Sequence, residues 1–121
     1  MSGLTPFTSV FDSTSVTSTT TGAGADVIYT VPANHDAELT LLACTNGATV
    51  DSINVQVYHA DGAEYHYLLR AHSVPANDTY NAITSNRLYL HAGDKIVAYK
   101  AGGTFDVSIS GKQYYNPVRN I

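Results

Sequence analysis

Alternation of apolar and polar positions dominates the chain from residue 26 onwards. In residues 53–59, with sequence INVQVYH, every second position is apolar until the run ends, and residues 105–110 (FDVSIS) repeat the pattern. A period of two residues places the apolar side chains on one face of a β-strand. Further runs rich in β-branched and aromatic residues, bounded by Gly, Pro or Asn, lie at residues 27–31, 38–44, 64–69, 79–83, 87–90 and 95–99.

The number and spacing of these runs predict the fold class. About eight short strands, with no convincing helical period, are typical of an all-β sandwich or small barrel. We expect an antiparallel β-sandwich with a jelly-roll-like arrangement. The dipeptide Asp61-Gly62 predicts a tight hairpin between the runs at 53–59 and 64–69.

The tetrapeptide VPAN occurs twice, at residues 31–34 and 74–77, each time between two strand-like runs. Proline fixes its own φ and drives the preceding residue into an extended conformation, and asparagine tolerates the left-handed region. Each copy is therefore predicted to end one strand and redirect the next, as a sandwich requires wherever the chain changes sheet. An ancient duplication is the alternative, although the two halves do not otherwise match.

The beginning of the chain has a different composition. Ten of the fourteen positions from 8 to 21 are Ser or Thr, and such tracts bury little apolar surface. We predict an extended arm at residues 1–25, a β-sandwich at 26–113 and a C-terminal tail at 114–121. On this hypothesis, removal of residues 1–22 leaves the sandwich folded.

Apolar residues punctuate the predicted arm. Phe7, Val10, Phe11 and Val16 are spaced so that an extended arm could anchor on a neighbouring subunit. Disorder of the arm is the alternative interpretation.

Charge and apolar content exclude several classes of partner. The chain is 44% apolar and only 13% charged, with a net charge of −4. Its six Lys and Arg residues do not cluster, so we expect no nucleic-acid partner. No apolar run approaches the length of a membrane span, and no signal peptide opens the sequence, so we expect no membrane partner and synthesis in the cytoplasm without standard export.

The chain offers little catalytic chemistry. It has two glutamates, one cysteine (Cys44) in an apolar setting, and no nucleophile elbow or phosphate-binding glycine loop, so we expect no enzyme activity and no cofactor. His59 and His66 flank the predicted hairpin, but their spacing does not match a metal motif. A metal-dependent enzyme built on this pair is a minor alternative.

The nine tyrosines are the more informative residues. Tyr58, Tyr65 and Tyr67 lie in or beside the predicted hairpin strands, and we expect Tyr58 and Tyr67 to pair across the hairpin. They could also form an interface, because tyrosine buries a large area and keeps a polar tip. A sugar-binding face is the third alternative.

Four short pieces of the sequence carry a family resemblance. They lie at residues 29–33 (YTVPA), 74–79 (VPANDT), 88–96 (LYLHAGDKI) and 105–110 (FDVSIS). Together they resemble small structural proteins in the virions of tailed bacteriophages, over about residues 26–112. The resemblance implies a β-sandwich in a phage particle and transfers no catalytic residues.

The resemblance and the composition together give a functional hypothesis. We expect a homo-oligomer with threefold symmetry that decorates a phage head, cements the major capsid protein and uses Phe7, Val10, Phe11, Tyr58, Tyr65 and Tyr67 as interface residues. The expected location is the virion. A neck, tail or fibre protein and a glycan-binding sandwich are the alternatives.

Overall fold

The computed structural model describes residues 7–83 and 87–116 as two antiparallel β-sheets packed face to face. The strands are β1 (Phe7–Val16), β2 (Asp26–Thr30), β3 (His35–Asn46), β4 (Asp51–His59), β5 (Glu64–Val74), β6 (Thr79–Asn81), β7 (Leu88–Leu90), β8 (Lys95–Lys100) and β9 (Phe105–Tyr115). The all-β sandwich predicted from the alternating pattern is confirmed.

The strand order is that of a jelly roll. Sheet A has the order β1-β9-β3-β6, with β7 also paired to β3, and sheet B has the order β2-β8-β4-β5. The two short strands β6 and β7 pair with separate parts of β3, so together they occupy one strand position. Eight positions in two four-stranded sheets result, and every pairing is antiparallel.

The core lies between the sheets and is built by the alternating residues. Ile53, Val55 and Val57 of β4 face it, as the sequence predicts, and so do Phe105, Val107 and Ile109 of β9. Truncation of a fully buried Leu or Ile to Ala costs about 2–5 kcal/mol in such a core. Other large side chains that are fully buried here are Leu39, Leu42, Leu90 and Ile96.

Both VPAN segments form the predicted corners. The first leads from β2 in sheet B to β3 in sheet A, and the second leads from β5 in sheet B to β6 in sheet A. The two asparagines have left-handed backbones, with φ of 62° at Asn34 and 60° at Asn77. Each corner thus ends a strand and carries the chain across to the other sheet.

The second corner is held by a buried side chain. The amide nitrogen of Asn46 donates to the backbone oxygens of Val74 at 2.6 Å and Thr49 at 2.6 Å. The backbone NH of Asn77 in turn donates to the oxygen of Gly47 at 2.7 Å. These bonds join the end of β3 to the end of β5, which lie in different sheets.

The predicted arm is the region where the structure differs most from expectation. Residues 7–16 form β1, which pairs with β9 along its whole length, from Phe7 opposite Tyr114 to Val16 opposite Phe105. Val16 and Val10 are buried in the core cluster. The two valines, predicted to contact a neighbouring subunit, pack instead in the core of their own sandwich, because the Val and Thr residues of this segment favour an extended strand once β9 offers a partner.

Residues 17–25, which we call the strap, cross the outer face of sheet B. Gln56 accepts hydrogen bonds from the Thr21 hydroxyl at 3.2 Å and the Gly22 NH at 3.1 Å. The carboxylate of Asp26 accepts the backbone NH groups of Thr17 and Ser18 at 2.6 and 3.0 Å, and these bonds hold its pKa below the ordinary value. The Ser/Thr-rich tract is therefore packed on its own sandwich.

The boundaries predicted for the arm and tail change accordingly. The sandwich begins at β1, and Tyr114 and Tyr115 belong to β9. The remainder of the predicted arm (residues 1–6) and of the predicted tail (residues 117–121) lies outside the described residues.

Removal of residues 1–22 is now expected to destabilise the fold. The deletion takes Val10 and Val16 out of the core and leaves one edge of β9 unpaired, which should cost several kcal/mol. Thermal unfolding followed by far-UV circular dichroism checks this, with removal of residues 1–6 as the control. An unchanged midpoint after the longer deletion would show that β1 adds nothing to stability.

Candidate interaction surfaces

The outer face of sheet A is organised as rows of side chains that run across the strands. In the first row, Ser15 of β1 lies opposite Asp106 of β9, which lies opposite Thr45 of β3 and then Thr79 of β6. The Ser15 hydroxyl donates to Asp106 at 2.6 Å, and the Thr45 and Thr79 hydroxyls lie 3.0 Å apart. Small polar side chains therefore cover this end of the sheet.

The next row extends the same surface. Ser13 lies opposite Ser108, whose hydroxyl donates to it at 3.1 Å, and Ala43 follows on β3. We call these two rows the hydroxyl face. With one carboxylate and short side chains, the hydroxyl face is flat and nearly uncharged.

The opposite end of the same sheet face is aromatic and charged. Phe7 lies against Tyr114 with ring centroids 6.3 Å apart, and the Lys112 ammonium sits 4.9 Å from the centre of the Phe7 ring. Phe7, Phe11 and Tyr89 are 55%, 71% and 60% exposed. These three side chains form what we call the aromatic end, and exposed aromatic area of this kind is typical of interfaces.

A buried carboxylate, Glu38, lies in the middle of the aromatic end. Arg87 is hydrogen bonded to one oxygen, and the Tyr114 hydroxyl donates to the other at 3.0 Å. Burial acts to raise the pKa of Glu38, but the hydrogen bonds from Tyr114 and Arg87 outweigh it and hold that pKa below its ordinary value. Glu38 is therefore a charged anchor that joins β3 to β9 and to the chain before β7.

An open depression of about 320 Å³ adjoins Glu38. Hydroxyl groups and both signs of charge line it. Tyr89 lies directly opposite Glu38 on β7, and Phe7 lies opposite Tyr114 on β1. Its lining residues are Ser9, Glu38, Thr40, Arg87, Ser110, Gly111 and Lys112.

The predicted tyrosine surface forms on the other side of the molecule. Tyr58 and Tyr65 are direct cross-strand partners with ring centroids 4.7 Å apart, so Tyr58 pairs with Tyr65 and not with Tyr67. Tyr67 lies opposite Gln56 instead, and its hydroxyl is 2.6 Å from the hydroxyl of Tyr99. We call these four side chains the tyrosine cluster.

The tyrosine cluster combines packing with partial exposure. The strap approaches Tyr65 at Gly22, Lys95 lies 5.4 Å from the centre of the Tyr58 ring, and Arg70 covers Tyr67 at 4.9 Å. Tyr67 is 38% exposed. Within this one cluster, tyrosines pack against each other across the strands, and part of their aromatic surface remains accessible to solvent.

The structure divides the six predicted interface residues into three sets. Phe7 and Phe11 lie on the outer face of sheet A, and the three tyrosines lie on the outer face of sheet B. Val10 is different, because β1 directs it into the core, where it is unavailable to a neighbouring subunit.

The residues around Glu38 were missed from the sequence. Glu38, Arg87 and Tyr114 are separated by up to 76 positions and meet only because β9 and β7 flank β3. One signal was present, since Glu38 is one of two glutamates and opens a strand-like run that soon becomes apolar.

The geometry gives little support to a metal site at the histidines or to a reactive thiol at Cys44. His59 and His66 do approach, with ring centroids 5.3 Å apart, but within residues 7–83 and 87–116 no cluster of three or more His, Cys, Asp or Glu could hold a metal ion. Cys44 is buried, which raises the pKa of its thiol to about 12. No helix in the described part of the chain has the length and apolar character needed to cross a membrane.

Replacement of Glu38 tests the anchor. Its lowered folded-state pKa means that its stabilisation is present above the ordinary value of 4.5 and is lost as the pH falls through the lower folded value. Glu38→Gln should therefore lower the unfolding midpoint by a few degrees at pH 7 and by less at pH 3. Thermal melts at both pH values measure this.

The second glutamate supplies the matched control. Glu64 is exposed, with its side chain at 67%, so Glu64→Gln should leave the midpoint nearly unchanged at both pH values. Equal effects of the two substitutions would contradict the anchoring role of Glu38.

Comparisons with known proteins show the fold and no family. No family model and no curated protein matches the chain. A chain from the Bacillus endospore appendages, which form disulfide-linked pili, is similar with a TM-score of 0.52 and 9% identity over 94% of this chain and 91% of that one. The Drosophila NLP core, known for pentamer formation and histone binding, has a TM-score of 0.45 and 13% identity over 89% of this chain and 97% of its own. The similarity to the appendage chain shows a shared fold and nothing more. The similarity to the NLP core is too low to support any inference.

Proposed function

We propose that this chain is a structural protein of a tailed-bacteriophage virion, acting as a decoration protein that cements the major capsid protein of the head. The observation that carries the proposal is the outer face of sheet A. It offers a nearly uncharged hydroxyl face that continues into exposed aromatic side chains, and aromatic residues are enriched at protein interfaces.

The sequence resemblance supports the same proposal. Its four pieces coincide with the two VPAN corners, the segment from β7 to β8 and the first part of β9, which are the parts that build the sandwich. The jelly roll is also a fold that viral capsid domains use, although lectin domains use it too. The resemblance therefore concerns architecture, and the surfaces carry the function.

The proposed mechanism is adhesive. A specific contact buries about 1,600 Å², and many copies on one particle would resist internal pressure through their combined contacts. The spore appendages are disulfide-linked pili. In this chain the single cysteine is buried, so the assembly proposed here is non-covalent.

Copy number in purified particles tests the proposal. A decoration protein should appear as a 12.9 kDa band at hundreds of copies per particle, in proportion to the capsid protein. Quantitative gel staining or mass spectrometry measures the ratio. A dozen or fewer copies would indicate a neck, tail or fibre protein, and absence from particles would reject the virion role.

The depression beside Glu38 favours a second candidate function, recognition of a glycan on the host surface. Hydroxyl and charged groups on its floor can hydrogen bond to sugar hydroxyls, and Tyr89 is placed to stack on a ring. A glycan array should then give binding that Tyr89→Ala reduces at least tenfold and that Tyr115→Ala, at another exposed tyrosine, leaves unchanged. No binding to any glycan would eliminate this candidate.

A further inference from the structure

The edges of the two sheets differ in how well they are protected against pairing with another chain. Exposed edge strands invite such pairing, and proteins usually blunt them by short length, bulges or charges. Strands β6 and β7 have three residues each, and β2 has five with a register shift between Val27 and Tyr29. These edges are protected.

Strand β5 is long but irregular. Its pairing with β4 shifts register twice, and Ala71 within it has a φ of 48°. It also carries Glu64 and Arg70. A second strand would find neither a regular hydrogen-bond ladder nor an uncharged surface along this edge.

Strand β1 is neither short nor bulged. It runs for ten residues with an unbroken register against β9, and its other edge has no strand partner within the described residues. Its sequence FTSVFDSTSV contains no Pro, Gly or Lys and a single charge, Asp12. Near its centre stands Phe11, the most exposed large apolar side chain in the described parts of the chain, at 71%.

We propose that β1 pairs antiparallel with β1 of a second copy of this chain, about a twofold axis that passes through Phe11. The pairing joins the two copies of sheet A into one continuous sheet, in which the hydroxyl face of each copy lies beside the aromatic end of the other. This inference deepens the assembly role proposed above and rests on it for its biological purpose. Such a contact is isologous, because the same patch serves on both copies.

The register of the pair follows from side-chain chemistry. Opposed residues of an antiparallel pair lie on the same face of the sheet. The outer faces of the two copies therefore coincide only if each odd-numbered residue of β1 lies opposite another odd-numbered residue. Centring on Asp12 would oppose two carboxylates, which is destabilising. Centring on Phe11 instead opposes Phe11 with Phe11 and Ser9 with Ser13, and it retains nearly the full length of the strand.

Strand pairing also explains why a Ser/Thr-rich segment can be an interface. Main-chain hydrogen bonds give the affinity in β-strand addition, so the contact does not depend on a continuous apolar surface. The expected threefold symmetry is replaced in this proposal by a twofold contact.

The first test changes the centre of the proposed contact. Because Phe11 is largely exposed, Phe11→Lys should leave the sandwich folded but oppose two ammonium groups at the axis. Light scattering coupled to gel filtration should give the mass of two chains for the unmodified protein and of one chain for this variant. Val50→Lys, at a 65% exposed apolar residue between β3 and β4, should remain a dimer.

The second test reads the register. In the proposed pair, the two Phe11 Cα atoms are about 4.5–5.5 Å apart, within reach of a disulfide. The two Ser9 Cα atoms are separated by about 14 Å. Oxidation should therefore cross-link Phe11→Cys rapidly and Ser9→Cys slowly or not at all, and both variants retain the buried Cys44 as an equal background.

The outcomes separate this inference from the virion role. A monomer or trimer in solution, a dimer that survives Phe11→Lys, or equal cross-linking at positions 9 and 11 would overturn β1 pairing. If Phe11→Lys fails to fold, the cross-linking comparison decides. A β1-paired dimer that is absent from purified particles would support the pairing and reject the virion role. A protein that is present in particles but monomeric in solution would support the virion role and reject the pairing.

Discussion

Strand β9 is the constraint on which the other parts of sheet A depend. It pairs with β3 on one side over residues His35 to Asn46 and with β1 on the other over ten residues. Its glycine, Gly111, passes so close to β3 that a Cβ atom there would lie 2.2 Å from the backbone carbonyl oxygen of Glu38. The bulge between Leu39 and Leu41 lies at this crossing, and the backbone of Glu38 and Leu39 leaves no room for a side chain at Gly111.

This arrangement joins the two ends of the described chain. Phe7 lies opposite Tyr114, so sheet A is completed only when the last strand has been placed beside the first. Pairings at such sequence separation are costly in loop-closure entropy and make folding slow.

The position of β9 also creates the outer face of sheet A. Its outward side chains stand in the middle of every row, between β1 and β3, so Ser108 and Asp106 continue the hydroxyl face while Lys112 and Tyr114 continue the aromatic end. Glu38 closes that end by binding Tyr114 from β9 and Arg87 from the chain before β7. One face therefore has a charged end with exposed aromatic side chains and a nearly uncharged end with short side chains.

Local pattern was enough for much of the sandwich. Alternation at residues 53–59 and 105–110 identified β4 and β9 and their inward side chains, and the Pro-Ala-Asn order identified both corners. It was not enough for β1, where Ser and Thr occupy half of the positions and only Val10 and Val16 mark an inward face. Nor could it reveal Glu38 with Arg87 and Tyr114, because no local rule states which strands become neighbours.

The sequence by itself determined the strands from β2 onwards, the inward faces of the alternating ones and two of the places where the chain crosses between sheets, because these depend on side-chain period and on the backbone preferences of Pro and Asn. The tertiary structure alone decided that a polar N-terminal segment becomes an edge strand and that Val10 is core while Phe11 is surface. It also decided that the predicted aromatic residues divide between two opposite faces. The physical reason is that these outcomes depend on which distant strand supplies the missing hydrogen bonds, and only the complete jelly-roll order specifies that partner.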